Sequence, residues 1–80
     1  MWYNDQRTDL ARRFSDDLFN SLIRIKTHPK MYAAGFCGTR KCPLQIFPYY
    51  VVYRVEKRRL DVIAIVHASR RSSVWTSRIS

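Results

Sequence analysis

The stretch that most constrains this chain is Ile46–Arg71, IFPYYVVYRVEKRRLDVIAIVHASRR. Two apolar runs, Tyr49–Val55 and Leu60–Val66, flank a charged tip, Glu56-Lys57-Arg58-Arg59. Runs of about seven residues rich in Val, Ile and Tyr form strands, and a reversal at the tip makes them an antiparallel hairpin. With the turn centred between Lys57 and Arg58, Glu56 faces Arg59, Arg54 faces Asp61, Val52 faces Ile63 and Tyr50 faces Ile65. The alternate positions pair Val55 with Leu60, Tyr53 with Val62, Val51 with Ala64 and Tyr49 with Val66. Opposite charges then meet at two rungs and apolar groups at the others, whereas a one-residue slip places Val55 against Asp61. The tip lacks the Asn-Gly or Asp-Gly of a favoured two-residue turn.

That register separates two faces. Tyr49, Val51, Tyr53, Val55, Leu60, Val62, Ala64 and Val66 make one that is apolar throughout and needs a helical roof. Tyr50, Val52, Arg54, Asp61, Ile63, Ile65 and His67 make a mixed face, where function is to be sought.

The roof is upstream. Leu10, Phe14, Leu18, Leu22 and Ile25 recur at helical spacing, with Ala11 and Ile23 widening the stripe. Arg12, Arg13, Asp16, Asp17, Asn20 and Arg24 fall mostly on the other side. Thr8 is the expected N-cap after a polar turn at Asn4–Arg7, and His28-Pro29 stops the helix. Trp2 and Tyr3 are aromatics of the kind that pack. Thr39–Phe47 alternates as a third strand, and Pro43, which has no N–H to donate, makes it an edge or a bulged strand. After Val66 a polar segment leads to a short tail with Trp75. The expected fold class is α+β, a helix or helical hairpin packed on a three-stranded antiparallel sheet, in a single domain over residues 1–80.

Eighty residues allow one modest core. The formal charge of +9 divides unevenly, +2 over residues 1–36 and +7 over 37–80, so the basicity travels with the strands and calls for an anionic partner. No apolar run approaches a membrane span and no signal-peptide pattern is present, which makes the cytoplasm the default location and a membrane partner unexpected.

Cys37 and Cys42, spaced C-x4-C, with His28 and His67 as the only histidines, match no common zinc pattern; no metal and no cofactor is expected. The two thiols read as small, part-buried side chains. His67, an imidazole at the end of the last strand, is a candidate general acid or base, or a strand-end histidine bonded to backbone. Arg54 either pairs with Asp61 or clamps a phosphate. Lys41, Arg54, His67, Arg70 and Arg71 together would form a basic patch suited to a phosphate backbone, or simply a solvated charged face. Tyr50 and Trp75 are the aromatics placed to contact bases or a partner. The catalytic candidates are thus Lys41, Arg54, His67 and Arg70. The binding candidates are Lys41, Tyr50, Arg54, Arg70, Arg71 and Trp75.

The run FPYYVVYRV, a charged turn, a Val/Ile strand ending in His67, then Arg70 and Trp75, resembles the C-terminal half of RelE/ParE-type toxins of type II toxin–antitoxin (plasmid stabilization) systems. Upstream, WYNDQRTDLARRFSDDLFNSLIRIKTHP is similar to that family's end of helix one, turn, helix two and closing His-Pro. The resemblance implies a β-α-α-β-β-β fold, here without the N-terminal strand and most of the first helix, and a cognate antitoxin that wraps the toxin. Missing that strand, the chain would bare a sheet edge suited to homodimerisation. The ParE branch inhibits DNA gyrase; the RelE branch cleaves mRNA on the ribosome with basic residues from the sheet, to which Lys41, Arg54 and Arg70 correspond approximately. The nuclease branch commonly carries a Tyr or His in its tail, and none follows Arg71 here. The resemblance therefore favours a gyrase inhibitor over a ribosome-dependent endoribonuclease, with a degenerate, non-toxic binding remnant as a third reading.

Overall fold

The computed structural model describes residues 6–77. Its elements are α1 (Gln6–Thr27), a one-turn 3-10 segment (Phe36–Gly38), β1 (Arg40–Pro43), β2 (Tyr49–Glu56), β3 (Arg59–His67) and α2 (Ser73–Thr76). The strands form one antiparallel sheet in the order β1-β2-β3. This is the expected α+β class, with α1 as the roof. Packing of Trp2 and Tyr3 concerns residues outside those described. Thr8, expected as the N-cap, lies inside α1, and Gln6 and Arg7, expected in a turn, are already helical.

The core is split by the sheet. Beneath α1, Ile25 packs with Cys42, Leu44, Val51 and Tyr53, and Phe14, Leu18, Leu22, Phe47, Tyr49, Val55 and Leu60 close around them. Phe14 takes the rings of Phe47 and Tyr49 edge-on, at 5.3 and 5.1 Å. On the opposite face Val52, Val66 and Trp75 form a second cluster with Tyr50, Ile63 and Ala64. Trp75 comes from α2, a single turn that the tail was not expected to form. Leu10 and Ile23, counted in the apolar stripe, are exposed, because the sheet is too narrow to reach them.

The hairpin register corrects the expected one over half its length. Glu56↔Arg59, Val55↔Leu60, Arg54↔Asp61 and Tyr53↔Val62 pair as expected. Beyond them the ladder slips, giving Val52↔Ala64, Val51↔Ile65, Tyr50↔Val66 and Tyr49↔His67, with Ile63 as the extra residue of a β-bulge. Ala64 and Val66 consequently move to the face opposite α1, while Ile65 and His67 move to the α1 side. The charges pin the register near the tip; Val62–Val66 is apolar at every position and pins nothing. Val62 and Ile65 remain 47% and 43% exposed, since α1 covers β1 and β2 but reaches β3 mainly at Leu60.

The ion pairs also differ. Arg54 and Asp61 are opposite each other, yet the contacts run along each strand, Arg54 to Glu56 at 4.0 Å and Arg59 to Asp61 at 3.0 Å. β1 is shorter than expected and stops at Pro43, as an edge strand interrupted by proline must. No helix among the described residues is long and apolar enough to cross a membrane.

Candidate functional site

The candidate residues gather in three groups rather than one patch. The first lies on the face away from α1. Lys41, exposed on β1, holds its Nζ 5.2 Å from the Tyr50 ring centroid and 5.7 Å from that of Trp75. Lys41 pairs with Val52, which fixes its side of the sheet, and the two rings attract its ammonium through their π faces. The Trp75 indole N–H donates to the Tyr50 hydroxyl at 3.3 Å. At 1% exposure, Trp75 is a plug in the second core and has no open face for stacking a base.

The second group is His67 with Arg70. The bulge carries His67 off the mixed face expected for it and sets its ring edge-on to Tyr49 at 4.9 Å, on the α1 side. Its Nδ1 accepts the Ser69 backbone N–H at 3.1 Å and lies 2.8 Å from Ser69 Oγ, so the neutral ring carries its proton on Nε2. Arg70 sits in the turn after β3, its N–H donating to the His67 carbonyl at 3.0 Å. His67 and Arg70 line a depression of about 360 Å3 with Tyr49, Ile65, Val74 and Trp75. Arg71 is exposed, and its carbonyl accepts the Val74 N–H at the start of α2.

Arg54 forms the third group. Its side chain is partly buried beside Gly38, whose φ of +77° favours a glycine. The Arg54 Nε is buried without an acceptor. Of the five basic residues, the bulge moves only His67 to the α1 side; Lys41 and Arg54 keep the opposite face, and Arg70 and Arg71 lie beyond the end of β3.

A polar seam between α1 and the strands was not expected. Asp17, Ser21 and Arg24 repeat at i, i+4 and i+7 along one flank of the apolar stripe, a spacing readable in the sequence. Asp17 and Arg24 were assigned to the solvent side; Asp17 is instead 2% exposed. Its carboxylate accepts the backbone N–H groups of Gln45, Ile46 and Phe47 at 3.0, 2.8 and 2.9 Å. Burial alone would raise its pKa, but these three donors and the charge of Arg24 outweigh burial and hold it below its ordinary value. Arg24 donates to the Pro43 carbonyl at 2.7 Å and lies 3.6 Å from Cys42 Sγ. Tyr53 donates to the Pro29 carbonyl at 2.8 Å, and burial raises its hydroxyl pKa. The two thiols differ, Cys37 being exposed and Cys42 buried.

The fold and surface define a small, strongly basic α+β module, a helix laid on a three-stranded antiparallel sheet. A family model described as the ParE toxin of type II toxin–antitoxin system, parDE, matches residues 2–72. The chain belongs to this family of ParE toxins, and membership implies an antitoxin as its partner. No curated protein and no solved structure matches it.

Proposed function

We propose that the chain acts as a binding inhibitor of DNA gyrase, without nuclease activity, and is neutralised by its cognate antitoxin. The observation that carries this reading is the ParE family match over residues 2–72. The distribution of the candidate groups supports it. Cleaving RNA through its own 2′-hydroxyl needs a base, an acid and cations converging on one phosphate. His67 lies on the α1 side with Nδ1 engaged by Ser69, whereas Lys41 lies across the sheet against Tyr50 and Trp75. Arginine remains protonated and is a poor base. The antitoxin contact fits the strand region, whose net charge of +7 attracts an acidic segment in a salt-dependent manner.

Purified chain added to gyrase tests this reading. Inhibited supercoiling or accumulated cleaved DNA is expected, together with unchanged mRNA on translating ribosomes. Intact gyrase activity with mRNA cleavage abolished by His67→Ala would overturn it. The ribonuclease alternative draws on one observation, that His67 and Arg70 are both among the residues lining a single depression.

A further inference from the structure

One flank of α1 is left free. Its polar flank, Asp17 and Arg24, is tied to Pro43 and to the Gln45–Phe47 loop, which fixes that flank on the β1 side of the sheet. The opposite flank therefore looks toward β3. Ala11, Ser15, Leu18 and Leu22 line it at spacings of four, three and four. Ala11 and Ser15 are exposed there, and Leu18 and Leu22 are only half-buried although they reach the main core. Beside them the α1-side face of β3 is open at Val62 and Ile65, so flank and strand meet in an apolar corner.

The border of that corner is cationic. Arg12, Phe19 and Lys26, all exposed, recur every seven residues along the top of the flank. Two cations thus stand about 21 Å apart with an aromatic ring between them. Asp9, Asp16 and Asp17, the acids of α1, fall outside this flank. These features select among occupants. A strand added to the free edge of β3 would have to pair across the Ile63 bulge, and bulged edges resist such pairing. A second copy brings the same +9 charge to the contact. A helix beside α1, at an interaxial distance of about 8–10 Å, covers both walls, and the small Ala11 and Ser15 let it close. The cationic border asks that helix for carboxylates.

We propose that this corner seats an amphipathic helix of the antitoxin, apolar toward Leu18, Leu22, Val62 and Ile65 and acidic along the edge that meets Arg12 and Lys26. The inference rests on the antitoxin that family membership implies. It is independent of the gyrase reading, which the supercoiling assay tests by itself.

Two helical peptides of about 20 residues, sharing one leucine stripe, are the probes. One carries glutamates on the borders of the stripe, the other lysines. Each is titrated into the full chain and followed by amide chemical shifts. Saturable binding of the glutamate peptide is expected, with shifts centred on Leu22, Val62 and Ile65. It should be at least tenfold tighter than the lysine peptide and weaken with added salt. Arg12→Glu with Lys26→Glu, at exposed helical positions, should reverse the preference. Val62→Thr with Ile65→Thr keeps strand propensity at two exposed positions, and should weaken binding about tenfold with urea unfolding near that of the parent. Equal binding of the two peptides, no saturation, shifts centred elsewhere, or affinity unmoved by the β3 pair would overturn the proposal. Self-association of the free chain abolished by the β3 pair would give the corner to a second copy instead. NOEs from Trp2 to Ile65 in the free chain would give it to the chain's own first residues, and either result also overturns the assignment.

Discussion

Removing the Asp17 carboxylate should loosen the joint between α1 and the β1–β2 loop more than any other single polar change. Three backbone N–H groups converge on it at 2.8–3.0 Å, and the side chain is 2% exposed. A hydrogen bond to a charged group contributes roughly 1.5–3 kcal/mol, which sets an upper bound near three times that. Gln45 and Ile46 are exposed, however, so their freed N–H groups recover water, and Phe47 is the donor left poorly solvated. Asp17→Ala should therefore cost about 2–4 kcal/mol, out of roughly 4–12 kcal/mol expected for a chain of this length. The midpoint of thermal unfolding should fall by roughly 10–30 °C. Asp17→Asn keeps one oxygen for Ile46 and Phe47 but turns its NH2 toward the Gln45 N–H, and should cost about 1–2 kcal/mol. The pH dependence has a definite sign. The folded carboxyl titrates below its ordinary value of 3.8, so its stabilisation is complete above that value and disappears as pH falls through the folded pKa. Urea unfolding of parent and variants between pH 7 and pH 2, followed by far-UV circular dichroism, reads both effects. The reasoning fails if Asp17→Ala lies within about 0.5 kcal/mol of the parent at pH 7, the range of an ordinary surface substitution. It fails equally if the gap between parent and Asp17→Asn does not narrow on acidification.

Trp75→Ala should destabilise by about 3 kcal/mol and expose Val52 and Val66, since the indole is almost fully buried between them; urea midpoints check this, and a loss under about 1 kcal/mol refutes the plug. Deleting Ile63 should remove the bulge and leave His67 beside Tyr49, at a cost of about 1–2 kcal/mol for the lost packing; cross-strand amide NOEs that place His67 on the opposite face refute the register. Lys57 has φ of 54°, a conformation costly to a side chain, so Lys57→Gly should gain roughly 0.5 kcal/mol after glycine's own entropy is set against the relief. A loss of stability in urea would contradict that backbone assignment.

The tip half of the hairpin was legible because charges mark its rungs: a slip there puts Asp61 against Val55, and the structure keeps the expected pairs from Glu56 to Tyr53. The other half was not. Five consecutive apolar residues, Val62–Val66, satisfy either face equally, so tertiary packing chose the bulge and with it the side on which His67 stands. α1 announced itself through Phe14, Leu18, Leu22 and Ile25, while α2 is too short to show any period, and Trp75 could be read only as a surface aromatic. Asp17 was misread for a different reason. A carboxylate beside an apolar stripe is usually solvated, and what buries this one is a set of N–H groups from a loop with no sequence signature of its own. Of the candidate site, Lys41, Tyr50 and Trp75 do lie together, but their grouping depends on α2; Arg54 keeps their face, beside Gly38, as periodicity implied, and His67 left it through a bulge that periodicity cannot express.

The Asp17 seam also sets an order of events during synthesis. Its three donors follow it in the chain by 28, 29 and 30 residues. At elongation rates of about 5–20 residues per second, Asp17 leaves the ribosome roughly 1.4–6 s before the loop that closes over its carboxylate. Throughout that interval Phe14, Leu18 and Ile25 have neither strands beneath them nor a tied loop above. The nascent helix, with its apolar stripe open, is therefore the form of this chain most available to chaperones, and translation speed across residues 28–47 sets how long it lasts.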